Sequence, residues 1–291
     1  MIEPEVRVAA LLFLVTTLLA IGLKVSGGEI LASLNNRSLL ARSLLANVVL
    51  VPLLGLIIVR LVPLAPDVAT AILLLAAAPG GVGAIQFSSK GNEPEISFGA
   101  GLLFLLSVLA VFITPLLAKV LLPAGAPMAM VYGRVILFLL LYLLLPLLLG
   151  FAIRGFSEAA AEALTKPIAL VGTLSFVAMV VLTLGMRREA TRAIGGKAIL
   201  VMLALILVSM AVGWLLGGPE KGGRRILATG TSFRNAPLCL VIALQSSPGR
   251  VGLYAVVAYS ALMVPPNLAL TIYHSLRSRQ IRGVPQKTDQ E

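Results

Sequence analysis

The chain has 291 residues, a net charge of +11 and a mean hydropathy of +1.03, with 59% hydrophobic and 12% charged residues. Soluble domains carry about 25% charged residues, so this composition excludes a soluble protein and predicts an all-α polytopic membrane protein. The basic residues lie in short loops between apolar runs, where they act as orientation signals, and no nucleic-acid partner is expected. One cysteine, Cys239, and one histidine, His274, exclude a disulfide framework and a cysteine or histidine metal cluster.

Apolar runs long enough to cross about 30 Å of hydrocarbon follow one another along the chain. The first run is a span rather than a cleaved signal peptide, because Glu3 and Glu5 occupy the place of a basic n-region. The runs predict about nine transmembrane helices in a single domain, residues 1–276, followed by a disordered basic tail, residues 277–291. The predicted spans are 7–24, 38–61, 67–89, 95–119, 133–154, 166–186, 196–217, 225–247 and 250–276.

An odd number of spans places the two termini on opposite sides of the membrane. With a cytoplasmic C-terminus, the cytoplasmic segments hold 13 Lys and Arg residues and the other side holds nine. This bias favours a multi-pass protein of the plasma (inner) membrane with its N-terminus outside, although the basic loop at 187–197 argues against it. The basic tail is expected to contact anionic lipid.

Two spans are interrupted near the middle by glycine and proline. The third carries Ala78-Pro79-Gly80-Gly81, and the eighth carries Gly230 to Pro237 with Arg234 inside it. Glycine and proline break helices, and a guanidinium at membrane depth needs a partner, a water-filled cavity or an anionic ligand. A charge beside a helix break is typical of the binding sites of secondary transporters.

The two halves of the chain are weakly similar, which predicts an inverted repeat. The two interruptions lie about 150 residues apart, and Thr114-Pro115 falls on Val264-Pro265 at the same offset. The predicted halves are residues 7–122 and 166–276, with 133–154 as a connecting helix. Because the halves are offset by five spans, they have opposite topology, as in many transporters.

If the two broken helices cross, their ends frame one small polar site, where half-helix termini bring partial charges to the midplane. No nucleophile–base pair, metal cluster or phosphate loop is apparent, so an enzyme is not expected. The candidate substrate- or ion-binding residues are Asn47, Gly80, Gly81, Gln86, Ser88, Thr229, Thr231, Ser232, Arg234 and Asn235.

At these residues the chain resembles the bile acid:sodium symporter family and its wider superfamily. The likeness rests on Ala78-Pro79-Gly80-Gly81, Lys90-Gly91-Asn92, Thr114-Pro115 and Arg234-Asn235, and runs from about Leu19 to Tyr273. It implies a core of six helices with two crossing broken ones, a panel formed by the remaining helices, and transport by alternating access.

The chain departs from the family pattern at the positions that would bind sodium. The resemblance implies that Gly230 stands where family members have a carboxylate shared by two sodium sites. It also implies that Arg234 and Asn47 each stand where family members have a glutamine. No Asp or Glu lies at any predicted midplane position. Sodium coupling by the usual route is therefore in doubt, and no other cofactor is expected.

Two roles for Arg234 follow from this departure. Its guanidinium either takes the place of the missing sodium or binds an organic anion directly, since its fork suits a carboxylate or sulfonate. The alternative is that Arg234 only binds the carbonyls of the broken backbone. The predicted function is a secondary active transporter of a small organic anion. The alternatives are an inorganic-ion or metalloid efflux relative that would rely on Cys239, and a non-transporting sensor or uncoupled permease.

Overall fold

The computed structural model describes residues 4–80, 93–122, 132–185, 192–246 and 250–282. Every regular element in these ranges is a helix, which confirms an all-α polytopic protein. In chain order the helices are α1 (Pro4–Gly22), α2 (Gly27–Asn35), α3 (Arg37–Leu44), α4 (Val51–Leu61), α5 (Pro66–Ala76), α6 (Glu93–Leu121), α7 (Tyr132–Leu139), α8 (Leu145–Phe156), α9 (Glu158–Val180), α10 (Gly196–Leu216), α11 (Lys221–Ser232), α12 (Ala236–Ser246), α13 (Arg250–Leu262) and α14 (Val264–Arg282). Three π-helical turns, Leu45–Leu50, Leu140–Leu144 and Val181–Gly185, continue α3, α7 and α9.

Within the described residues, eight helical segments are long and apolar enough to cross a membrane. They correspond to all the predicted spans except the third. That span begins as the shorter apolar helix α5, which ends at Ala76, and residues 81–89 of the prediction lie outside the described residues. The eight segments are Pro4–Gly22, Arg37–Leu61, Ser97–Leu121, Gly133–Phe156, Glu158–Leu184, Gly196–Leu216, Lys221–Leu244 and Val251–His274.

Two regions are more helical than the sequence suggested. The predicted loop after the first span contains α2, which begins with a capping box. The Ser26 hydroxyl accepts from the Glu29 N–H, and the Glu29 carboxylate accepts from the Ser26 N–H.

The last helix runs to Arg282, six residues into the predicted disordered tail. No glycine or proline occurs in that stretch before residue 283, so nothing in the sequence stops the helix earlier.

Helix packing divides the bundle into two groups. We call α1, α7, α8 and α9 the panel, because α1 packs along both α8 and α9. The remaining membrane helices form the core, in which α5 packs against α4 and α13, and α10 packs against α11. Glycines let the panel helices approach closely: a Cβ on Gly22 would lie 2.1 Å from the Leu147 carbonyl oxygen, and one on Gly150 would lie 2.3 Å from that of Leu19.

The first core break follows α5. The helix ends at Ala76, and the chain reaches Gly80 with a φ of +74°, a conformation that L side chains rarely adopt. A Cβ at this position would also lie 2.6 Å from the Leu106 Cβ and 2.9 Å from the Leu106 carbonyl carbon. Both the backbone angle and the close approach of α6 therefore require glycine at residue 80.

The second core break separates α11 from α12 at residues 233–235. Gly230 remains inside α11, so the helix opens three residues later than this first glycine. Asn235 begins the next helix, since its side-chain oxygen accepts from the Leu238 N–H at 3.2 Å, and Pro237 occupies the first turn, where its missing N–H costs nothing. The cap and the proline, rather than Gly230, fix the position of the break.

Candidate functional site

The two breaks meet inside the core. The backbone N–H of Asn235, in the second break, donates to the carbonyl of Ala78, in the first, at 3.2 Å. Ser107 of α6 contacts the same region, since its hydroxyl reaches the Gly80 carbonyl at 3.5 Å. We call this region the crossing: the first break, residues 77–80, the second break, residues 233–235, and the Asn47 turn of the neighbouring helix.

The Arg234 side chain extends into the crossing and is only 1% exposed. All five of its N–H groups have protein acceptors. Nε donates to the Leu75 carbonyl at 3.0 Å, and Nη2 donates to the carbonyls of Ala76 at 2.5 Å and Asn47 at 3.3 Å. Nη1 donates to the Asn47 side-chain oxygen at 2.8 Å and to the Thr231 carbonyl at 3.4 Å. Among the buried polar residues that the structure describes there is no Asp or Glu, so neutral oxygens alone surround this cation.

The broken helix α5 supplies two of these acceptors. The last carbonyls of any helix lack intrahelical donors and carry partial negative charge. Here the Leu75 and Ala76 carbonyls point from the C-terminus of α5 to the guanidinium of Arg234. The arginine therefore caps the half-helix and places a positive charge at the negative end of its dipole.

Asn47 supplies two more acceptors because it lies in the π-helical turn Leu45–Leu50. In this turn the N–H of Val51 donates to the Ala46 carbonyl, which takes away the donor that an α-helix would provide for Asn47. The next residue, Pro52, has no N–H to replace it. The Asn47 carbonyl is thus left for Arg234, and the Asn47 amide nitrogen is held by the Ser43 carbonyl at 3.0 Å.

The other predicted site residues have different surroundings. The Thr229 hydroxyl donates to the Arg225 carbonyl of its own helix, and the Ser232 hydroxyl donates to Asn267 of α14 at 2.9 Å. The Thr231 hydroxyl and the Asn235 amide nitrogen are buried with no hydrogen-bond partner. The structure thus brings Gly80, Asn47, Thr231, Arg234 and Asn235 to the crossing, while Gly81, Gln86 and Ser88 lie outside the described residues.

A cavity of about 340 Å³ lies beside the crossing, between panel and core. Its panel wall combines aliphatic and small residues with two phenylalanines and two threonines, and the rings of Phe13 and Phe176 pack together with centroids 5.1 Å apart. The panel residues of the lining include Phe13, Thr17, Lys24, Thr173 and Phe176. The core wall comes from the second break and from the junction of α13 with α14, through Phe233, Arg234, Ala236, Pro237, Ser260 and Met263.

Of the lining residues that sequence reasoning missed, Lys24 is the charged one. It follows the end of α1 and was read only as an orientation signal, because lysines after a span are common. No signal in the sequence distinguishes it from the other loop lysines, since its position depends on how α9 packs against α1. The structure leaves it half-buried at one end of the cavity wall.

A helical membrane bundle with a core of broken helices, a separate panel and a cavity between them has the architecture of a secondary transporter. The profile of the sodium bile acid symporter family matches residues 11–193, more than half of the chain. The chain therefore belongs to the sodium bile acid symporter family. The matched region includes Asn47 and the first break but ends before Arg234. A comparison with individually curated proteins finds no match.

Proposed function

We propose that this chain is a secondary transporter that carries a small organic anion across the membrane by alternating access of panel and core. The observation that carries the proposal is the cavity of about 340 Å³ between the two groups, which reaches the crossing through Phe233 and Arg234. A cavity of this kind, mainly apolar with a few polar groups, suits a small organic ligand. The described lining residues include lysine and arginine but no Asp or Glu, which favours an anion over a cation.

We further propose that transport does not require a sodium ion at the crossing. Backbone carbonyls and side-chain amide oxygens are the ligands that hard cations use, and at the crossing these oxygens already bind the guanidinium of Arg234. A sodium ion there would have to displace those hydrogen bonds and lie beside a positive charge. Arg234 in this account is a resident cation that holds the broken helices together.

The same geometry bears on the alternative that Arg234 binds the anion itself. Its five N–H groups are all used by protein acceptors, so an anion could bind the fork only after one of them was released. This favours the ion-substituting role over direct ligation. Metalloid transport through a thiol has less support, because Cys239 is buried and does not line the cavity, with its Sγ 3.6 Å from the Leu74 carbonyl oxygen.

The proposal is tested by uptake of labelled organic anions and cations into proteoliposomes that contain the full chain. A matched pair of variants tests the cavity: Ala169→Trp fills it from α9, whereas Leu170→Trp, at a side chain that is 58% exposed, projects outside the bundle. We expect saturable uptake of anions that falls at least about tenfold in Ala169→Trp and is unchanged in Leu170→Trp. No saturable uptake by the native chain would contradict the transporter proposal and favour a sensor, and preference for cations would contradict the anion assignment.

A further inference from the structure

The ammonium group of Lys24 stands out among the cavity residues because no described residue pairs with it. Among the described residues it forms no ion pair and no side-chain hydrogen bond. Its burial lowers its pKa below the ordinary value of 10.5. Burying a cation costs free energy unless an anion or a hydrogen-bond acceptor pairs with it. Lys24 lines a cavity that can admit such an anion.

The other positive features of the cavity have no free donors. The guanidinium of Arg234 is fully used by protein acceptors, as described above. The N-terminus of α12 also lines the cavity, but its Ala236 N–H donates to the Arg234 carbonyl at 2.8 Å, and the Leu238 N–H is capped by Asn235. Pro237, between them, has no N–H. An anion near α12 would feel a favourable dipole but would find no backbone hydrogen bond there.

Two of the three hydroxyl groups of the described lining are similarly committed, and the third, that of Thr17, is a neutral donor. Thr173 donates to the Ala169 carbonyl at 2.9 Å, and Ser260 donates to the Val256 carbonyl at 2.7 Å, each within its own helix. These hydroxyls can accept a hydrogen bond but give up their proton only by leaving a backbone partner. Lys24 is therefore the charged donor of the cavity that remains available to an anionic head group.

We propose that Lys24 determines the specificity of this cavity: its ammonium binds the head group of an amphipathic organic monoanion whose apolar body lies among Phe13, Phe176 and Phe233. This inference rests on the proposed function, since it assigns the residue that contacts the anionic head group in the same cavity. Because the donors of Arg234 are used by protein acceptors, one available cation matches one negative charge. The cavity volume of about 340 Å³ limits the body to a small aromatic or alicyclic group.

Lys24 also follows the C-terminus of α1, where a positive charge stabilises the helix dipole. That role alone would make Lys24 important for stability and indifferent to the ligand. The charged groups on neighbouring elements do not neutralise it: Arg154 of α8 pairs with Glu158 and Glu162 of α9, and Glu29 of α2 caps Ser26. Lys166 lies with Lys24, Arg154 and Glu162 along a second cavity but does not line the first, which makes it a suitable control.

The test uses the full chain in proteoliposomes with radiolabelled naphthalene-2-sulfonate and its neutral sulfonamide as probes. The sulfonate keeps its charge at every pH used. We expect Lys24→Gln to raise the KM for sulfonate uptake at least about tenfold with little change in Vmax. We expect Lys24→Arg to stay within about threefold of the native KM, and Lys166→Gln to have no effect. Inhibition by the neutral sulfonamide should be the same in the native chain and in Lys24→Gln.

The pH dependence of the KM supplies a second test, because a rise in pH removes the charge of Lys24 without a mutation. The binding form of Lys24 is protonated, so affinity is present at low pH and lost as the pH rises through a pKa below 10.5. The native KM should therefore rise between pH 7 and pH 10 while that of Lys24→Arg stays flat, because arginine keeps its charge.

Two results separate the failures of the two proposals. A native KM that is independent of pH, or a Lys24→Gln variant with the native KM, would overturn the role of Lys24 while leaving the transporter proposal intact. No saturable uptake of sulfonate or of any other anion by the native chain would overturn both.

Discussion

The crossing and the cavity each contain one cation, and the two cations have opposite surroundings. Arg234 is 1% exposed and meets five protein acceptors, whereas Lys24 is half-buried and has no partner in the described part of the chain. A buried charge whose hydrogen bonds are all made within the protein contributes to the stability of the fold. A charge without a protein partner is available to bind a ligand. In our proposals the role of a bound sodium ion belongs to Arg234 of the core, and the binding of the anion belongs to Lys24 of the panel.

The largest expected effect separates the two cations by stability. Arg234→Gln leaves several buried carbonyls without donors, each costing about 1–3 kcal/mol, so we expect the free energy of unfolding to fall by about 3 kcal/mol or more. Lys24→Gln breaks no ion pair or side-chain hydrogen bond among the described residues, and the lost helix-dipole contact opposes the gain from removing a half-buried charge, so we expect a change of less than about 1 kcal/mol. Denaturant titration in mild detergent measures both variants. Equal free energies of unfolding for the two variants would contradict a structural role for Arg234 that Lys24 does not share.

Gly80→Ala is the next largest change, because it alters the first break without touching either cation. The alanine would need a φ of +74° and would place its Cβ 2.6 Å from that of Leu106. We expect a loss of about 2–3 kcal/mol in the free energy of unfolding. Gly133→Ala is the matched control, since a Cβ there meets nothing within 4 Å and should stabilise α7 by about 0.5–1 kcal/mol. A Gly80→Ala variant as stable as the native chain would show that the break can be built differently.

Asn47 tests whether the acceptors of Arg234 are interchangeable. Asn47→Leu removes the side-chain acceptor at 2.8 Å and should cost about 1–3 kcal/mol, as expected for a buried donor left unsatisfied. Asn47→Asp keeps an acceptor beside the guanidinium and should be more stable than Asn47→Leu. Thermal unfolding of the two variants in the same detergent measures the order. Both variants lose the amide donor to the Ser43 carbonyl, so the difference between them reports the contact to Arg234, and the reverse order would contradict the role of that contact.

The smallest effect concerns the link between the second break and the last helix. Ser232→Ala removes one hydroxyl hydrogen bond to Asn267, at 2.9 Å, and should lower the free energy of unfolding by about 1 kcal/mol. Thr16→Val removes a hydroxyl that bonds only within its own helix and serves as the control. If the two variants lose the same free energy of unfolding, the Ser232–Asn267 hydrogen bond contributes no more to stability than a hydroxyl bond within one helix.

The sequence predicted most of the membrane architecture and less of the site. Long apolar runs specify spans directly, because helices are the way for such segments to satisfy their backbone in lipid. The capping box of α2 was present as Ser26 and Glu29, but the glycines between them read as a turn. Arg234 was recognisable because a lone arginine in an apolar stretch is unusual. Asn47 and Thr231 were predicted site residues too, but the Leu75 and Ala76 carbonyls were not recognisable, since they are backbone groups more than 150 positions earlier.

The inverted repeat remains a prediction, and the site shows why short motifs locate breaks only approximately. Glycine permits a helix to end but does not force it to, so Gly230 stays within α11 while Asn235 and Pro237 start the next helix. The cavity lining was even harder to predict from the sequence. Whether Lys24 faces solvent, lipid or a cavity is decided by the close packing of α1 on α8 and α9, which no local pattern encodes.

The most direct test of the account is the sodium dependence of initial uptake rates in proteoliposomes of the native chain. Rates of anion uptake would be compared in sodium and in an equal concentration of N-methylglucamine, with and without an inward sodium gradient. If Arg234 is the resident cation of the crossing, the rates agree within about twofold and the gradient drives no accumulation. Accumulation driven by the sodium gradient would contradict the account, because sodium would then bind despite the guanidinium.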